Sequence, residues 1–226
     1  MKASPLVRFA GLVLGTLALV LAAAWLIRNP ERATLDDAAR AAAPGKFVAT
    51  RVGLTHYEQA GPDTGRVAVL VHGFSVPAYI WDSTYHALAD SGYRVIRYDL
   101  VGRGWSDRPD IAYAPEDFDA QLVDLLDSLR VTGPVDLFGL SFGGLVTAYF
   151  TAEHPERVRS LLLVDPVTRA GRLPAMFRTR FVGPVLWQLL AVPAMPAGQP
   201  TDFIHPERWP DWEDKYRPQM RYRGFG

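Results

Sequence analysis

The chain has no cysteine among its 226 residues. That excludes disulfides, structural thiolate metal sites and a cysteine nucleophile. It has no net charge either, with 24 basic residues against 24 acidic ones. A neutral chain gives no electrostatic reason to expect a nucleic-acid or acidic partner. Lysine is nearly absent: Lys2, Lys46 and Lys215 are the three, and the remaining basic residues are arginine. With the abundant Ala, Gly and Pro, this reads as codon usage of a GC-rich genome rather than as function. No internal repeat or metal-ligand cluster stands out, and no phosphate-binding glycine loop, so no metal or organic cofactor is expected.

One long apolar run breaks the otherwise mixed pattern. From Phe9 to Ile27 there is no charged residue, and Thr16 is the only polar side chain. As a helix, at 1.5 Å per residue, this stretch is about 28 Å long, close to the hydrocarbon thickness of a bilayer. Lys2 and Arg8 precede it, while Trp25 and Arg28 suit its far interface. A cleaved signal peptide is the competing reading, with Ala22-Ala23-Ala24 as the small-residue site. Trp25-Leu26-Ile27 continues the apolar run past those alanines, which favours an uncleaved single-pass anchor over residues 1–30. The globular part is assigned to the non-cytoplasmic side. Arg28, Arg32, Arg40 and Lys46, which all follow the run, weigh the other way.

Residues 31–46 are Ala-rich and charged, and read as a spacer. Strand and helix patterns then alternate. Residues 47–51 and 54–58 read as paired strands around Gly53, and Val67-Ala68-Val69-Leu70-Val71 as a strand buried on both faces. Residues 94–98, 135–138 and 160–164 are further short strands. Helices are expected over 78–90, 115–130 and 143–153; in the second, Phe118, Leu122, Leu125, Leu126 and Leu129 share one face. This alternation implies an α/β fold with a parallel central sheet covered on both sides, over residues 47–168. Residues 169–226 change character. Prolines including Pro184, Pro196, Pro210 and Pro218 divide pieces rich in Phe181, Trp187, Leu189, Phe203 and Trp212, as expected of short cap helices.

The chemistry is concentrated in Gly139-Leu140-Ser141-Phe142-Gly143-Gly144, which lies between an apolar strand and a helix. Gly-x-Ser-x-Gly in that context is a nucleophile elbow: a strained turn holds the serine Oγ outward, and glycines let strand and helix pass closely. His72-Gly73-Phe74 closes an earlier strand, and Tyr98-Asp99 to Arg108-Pro109 follows another. In this order and spacing the three segments resemble the α/β-hydrolase family, over roughly residues 47–226. The resemblance implies Ser141 as nucleophile and the backbone N–H groups of Phe74 and Phe142 as oxyanion donors. His72, Gly73, Gly139 and Gly143 support the motif. His72 is expected to hydrogen-bond structurally, Asp99 and Asp107 to shape turns, and Arg103 to brace a loop through an ion pair. Family members that open epoxides or displace halides carry Asp at the elbow, so Ser141 points to acyl transfer.

A serine nucleophile needs a base and an acid, which in such folds follow it in the order Ser, acid, His. Only His154 and His205 follow Ser141. His154 stands 13 positions on, about 20 Å along one helix, out of hydrogen-bond reach. Asp165 and His205 remain as acid and base candidates, but neither lies after the later strands where the family carries them. The expectation is therefore that the chain ends inside the cap, with acid and His encoded beyond Gly226 and the last strands of the sheet absent. The activity expected is carboxylic ester hydrolysis through acyl-Ser141, on an apolar acyl substrate. The alternatives are a membrane-tethered binding module without turnover, and a carbon–carbon bond hydrolase or cofactor-free perhydrolase.

Overall fold

A computed structural model describes residues 4–168, 173–202, 205–209 and 211–225. Lys2, Phe203, Pro210 and Gly226 lie outside the described residues. The chain forms two compact units, one of Ala33–Gly171 with Arg223–Phe225, the other of Met1–Arg32 with Arg172–Tyr222 and Gly226.

The apolar run forms α1 (Pro5–Arg28), begun by Ser4, whose hydroxyl accepts from the Val7 N–H. No α1 residue is buried, in keeping with its all-round apolar surface. A short helix α2 (Asp37–Arg40) interrupts the spacer. The core unit then runs β1 (Lys46–Thr50), β2 (Gly53–Ala60), β3 (Val67–Val71), α3 (Asp82–Asp90), β4 (Arg94–Tyr98), α4 (Pro115–Ser128), β5 (Val135–Leu140), α5 (Phe142–Glu153) and β6 (Val158–Val164). A 3-10 turn, Ala78–Trp81, occupies the first part of the stretch expected to be helix from residue 78.

The six strands form one mixed sheet in the order β1-β2-β4-β3-β5-β6. The hairpin β1–β2 is antiparallel, as is the β2–β4 pair; β4–β3–β5–β6 is the parallel part. The chain lays β4 on one side of β3 and β5 on the other. The loops after β3 and β5 therefore open at the point where strand order reverses, the usual crevice of open α/β sheets.

Helix α4 shows why these residues fold as they do. Phe118, Gln121, Leu122, Leu125 and Leu126 recur at helical spacing and are buried together with Val69, Ile96, Leu137 and Phe150. Gln121 is tolerated there because its polar atoms are matched. Its Nε2 donates to Thr55 Oγ1 (2.9 Å) and the Asp99 carbonyl (3.1 Å), and its Oε1 accepts from the Val101 N–H (2.9 Å). Strand β3 is apolar without alternation and is covered on both faces. The expected covering does not extend to β6, whose side chains are mostly exposed.

In the other unit the segment Val182–Gly198 passes through α6 (Val182–Leu186), a π-helical turn Trp187–Ala191 and α7 (Val192–Gly198), and α8 spans Trp212–Met220. These are the short helices expected of the proline-rich sequence. The end of α1 is tied to this segment. Arg28 Nε donates to the Leu189 carbonyl (2.7 Å), and Gln188 Nε2 donates to Asn29 Oδ1 (2.9 Å) and Glu31 Oε1 (2.8 Å). The Arg32 guanidinium donates to the carbonyl of Leu26, one of the orphan acceptors in the last turn of α1, and to that of Asn29 beyond it.

Candidate active site

Strand β5 delivers Ser141 at its C-terminal end, with φ 51° and ψ −114°, a conformation L-residues rarely adopt. The glycines around it explain how this turn closes. A Cβ at Gly139 would stand 2.6 Å from the Gly143 carbonyl oxygen and 2.7 Å from Gly144 Cα. A Cβ at Gly143 would collide with the carbonyls of Val71 and His72. Strand, helix and the neighbouring β3 end can therefore approach only without side chains there. The turn is pinned on its other side by β6: the Ser141 N–H donates to the Val164 carbonyl (2.9 Å), while the Ser141 carbonyl accepts from Gly144 (3.0 Å) and Val167 (3.1 Å). Among the described residues nothing hydrogen-bonds the Ser141 hydroxyl.

The loop after β3 faces that hydroxyl, since a Cβ at Gly73 would lie 3.9 Å from Ser141 Oγ. The rings of Phe74 and Phe142 meet edge to face at 6.4 Å. His72, wholly buried, has Nε2 accepting from the Leu100 N–H (2.9 Å) and Nδ1 against the Gly73 carbonyl (2.6 Å). With Nε2 an acceptor, Nδ1 carries the proton. Burial pushes the pKa of this imidazole below its ordinary value, so it stays neutral. The Gly73 carbonyl and the Phe74 N–H share one peptide plane, so His72 orients that plane and polarises its N–H. Both of its nitrogens are occupied by the backbone.

Arg103 braces the same loop through carbonyls and rings. Its Nε donates to the Phe74 carbonyl (2.6 Å), its Nη1 to the carbonyls of Gly102 and Phe225 (2.9 Å each), and its guanidinium lies 4.4 Å over the Phe74 ring. The carboxylates Asp99 and Asp107 do organise turns. Asp99 accepts from the N–H groups of Ala78 and Trp105 (both 2.9 Å), and Asp107 from that of Leu54 (2.7 Å) while pairing with Arg40.

Sequence reasoning missed His56 in β2. Its Nδ1 lies 2.8 Å from Asp99 Oδ2 and its Nε2 contacts the Pro44 carbonyl. Two acceptors on the two ring nitrogens require an imidazolium. Burial opposes its charge, but Asp99 and the Pro44 carbonyl outweigh burial and raise its pKa. Burial likewise opposes the Asp99 carboxylate, and His56 with the Trp105 N–H brings its pKa below the ordinary value. The only sequence signal was Thr55-His56, two consecutive polar residues in a strand whose two faces are both covered.

The remaining histidines are engaged elsewhere. His154 Nε2 lies 3.1 Å from Asp119, and His205 Nδ1 lies 3.0 Å from Glu207 Oε1. Asp165 follows β6, exposed and with φ 43°. His86 is exposed on α3, edge-on to Tyr85.

A parallel-cored sheet that ends its fifth strand in a strained serine, facing a His-Gly loop, has the build of a hydrolytic α/β protein. The model of the Alpha/beta hydrolase family matches residues 68–225, and the chain belongs to that family. Similar proteins include the non-heme chloroperoxidase of Streptomyces lividans, 32% identical over 49% of this chain and 40% of that protein. The uncharacterized carboxylesterase nap of Bacillus subtilis is 32% identical over 53% of this chain and 40% of its own length. The crystal structure of Cfl2 from Burkholderia cenocepacia is 25% identical with a TM-score of 0.70, covering 80% of this chain and 66% of that one. The chain thus spans about two-fifths of the length of the two sequence relatives.

Proposed function

We propose that this chain carries the nucleophile and oxyanion half of a serine hydrolase acting on carboxylic esters with an apolar acyl group. One observation carries the reading: Ser141 stands on a strained turn with its hydroxyl beside the loop that contains the Phe74 N–H. In this reading Ser141 Oγ attacks the ester carbonyl, and the oxyanion that forms accepts from the N–H groups of Phe74 and Phe142. A single such donor is worth about 2.7–4 kcal/mol. Collapse expels the alcohol and leaves acyl-Ser141, which water then hydrolyses. His56 and His72 use both ring nitrogens on other groups, so neither is free to take the serine proton. The acid and base are proposed to come from sequence outside residues 1–226. The helix α1 is proposed to anchor the protein in a membrane as a single pass, with the globular part on the non-cytoplasmic side.

The test is ester hydrolysis by the complete gene product, with and without Ser141→Ala, using aryl esters of increasing acyl length. Loss of the nucleophile is expected to cost on the order of 10³-fold or more in kcat. Turnover indifferent to the substitution would remove Ser141 from the chemistry. The second reading, a tethered binding module without turnover, is favoured by the engagement of both ring nitrogens of His56 and of His72. It predicts acyl-ligand binding with no labelling of Ser141 by a fluorophosphonate, whereas the hydrolase reading predicts stoichiometric labelling.

A further inference from the structure

We propose that the segment around α6 lies in the headgroup layer of an anionic membrane, with Phe181 and Val182 reaching the acyl chains and Arg178 and Arg180 on phospholipid headgroups. This rests on the reading of α1 as a membrane span. Four observations within the one unit carry it.

The segment is held at the polar end of α1, where a bilayer surface would lie. Arg28, Asn29 and Glu31 are its hydrogen-bond partners, through Gln188 and Leu189. Ala24, one turn above Arg28, is the one residue of α1 that loses substantial exposure. Gln188 and Leu189 therefore lie beside the polar end of α1. Val182 is seven residues before Leu189, about 10 Å along a helix, which is the order of depth of the headgroup layer.

The surface it presents is apolar. Phe181 is 80% exposed, Val182 55%, and Met176 and Leu190 are exposed as well. A cluster of large apolar side chains facing outward marks an interaction surface. Its charge is of one sign: between Leu173 and Pro200 the sequence has two arginines and no carboxylate, although the chain as a whole is neutral. Finally, the arginines flank the exposed aromatic. Arg178 and Arg180 are exposed, and the Arg180 guanidinium stands 5.5 Å from the centre of the Phe181 ring. An exposed aromatic with arginines beside it is the pattern of an interfacial segment on anionic lipid.

The chain lacks cysteine, so single introduced thiols report unambiguously. The full chain is reconstituted in phosphatidylcholine vesicles with and without phosphatidylserine, carrying a fluorophore at one of three positions: Leu17→Cys in α1, Val182→Cys in the patch, or Thr64→Cys in the core unit. Quenching by spin-labelled lipids is then measured. We expect deep quenching at position 17, shallow quenching at 182 that strengthens with phosphatidylserine, and none at 64. Arg178→Glu with Arg180→Glu is expected to lower the phosphatidylserine response at 182 by about five-fold per arginine, leaving position 17 unchanged. Quenching at 17 without quenching at 182 overturns the proposal and leaves the anchor standing. No quenching at 17 overturns the anchor itself. Equal quenching at 182 in both vesicle types overturns the assignment to anionic headgroups.

Discussion

Strands β3 and β6 are alike in sequence and unlike in surroundings. Both are rich in Val and Leu, yet Val69 and Leu70 are 0% exposed while Leu162, Leu163 and Val164 are 46%, 42% and 39% exposed. Strand β3 has a neighbour on either side and helices over its faces, whereas β6 pairs only with β5 among the described residues. The comparison teaches that an apolar strand announces what it requires, and the surrounding chain decides whether it receives it. The His56–Asp99 pair lies on the side of the sheet where β2, β4 and the loop after β4 close over it.

Three substitutions test this difference. Leu137→Ala in β5 removes a wholly buried side chain and is expected to cost about 2–5 kcal/mol in a urea titration. A cost below 1 kcal/mol would mean the centre is not packed as described. His56→Gln is expected to cost about 1.5–3 kcal/mol, through the loss of a charged hydrogen bond to Asp99. Its size should follow pH. The raised His56 pKa contributes stability below its ordinary value of 6.5, lost as pH rises through the folded value. The depressed Asp99 pKa contributes above 3.8, lost as pH falls through the folded value. The penalty is therefore largest in mildly acidic solution and shrinks in alkaline solution; a penalty independent of pH would deny the imidazolium. His72 acts in the opposite sense, because a depressed histidine pKa lowers stability as pH falls below 6.5, so only the difference between wild type and variant isolates His56. Leu162→Ala in β6 is expected to cost less than about 1 kcal/mol, since nearly half of that side chain is already exposed. A cost approaching that of Leu137→Ala would break the comparison by showing β6 covered in solution.

Much of the fold was legible because periodicity reports burial. The apolar stripe of α4, the continuous run of β3 and the all-round apolar α1 each stated their environment in their spacing. The elbow was legible for a steric reason: only glycine fits at 139 and 143. Three things were not. The covering of β6 depends on elements elsewhere in the sequence. The His56–Asp99 pair joins residues 43 apart in the chain and has no local signature. The brace at Arg103 ends on carbonyls, which every residue has, so nothing in the sequence marks them as partners.

The backbone of Ser141 also has a thermodynamic consequence. A non-glycine residue held at φ 51° and ψ −114° stores on the order of 1–3 kcal/mol that the rest of the domain must supply. Glycine would adopt the same turn without that strain, at the expense of about 1 kcal/mol of extra freedom in the unfolded chain. Ser141→Gly is therefore expected to melt at the same temperature as the native protein or above it, in a calorimetric scan, while losing its nucleophile. A lower melting temperature would show that the turn is unstrained. On the proposed reading, the sequence gives up folding stability at this position to keep a hydroxyl in reach of a substrate.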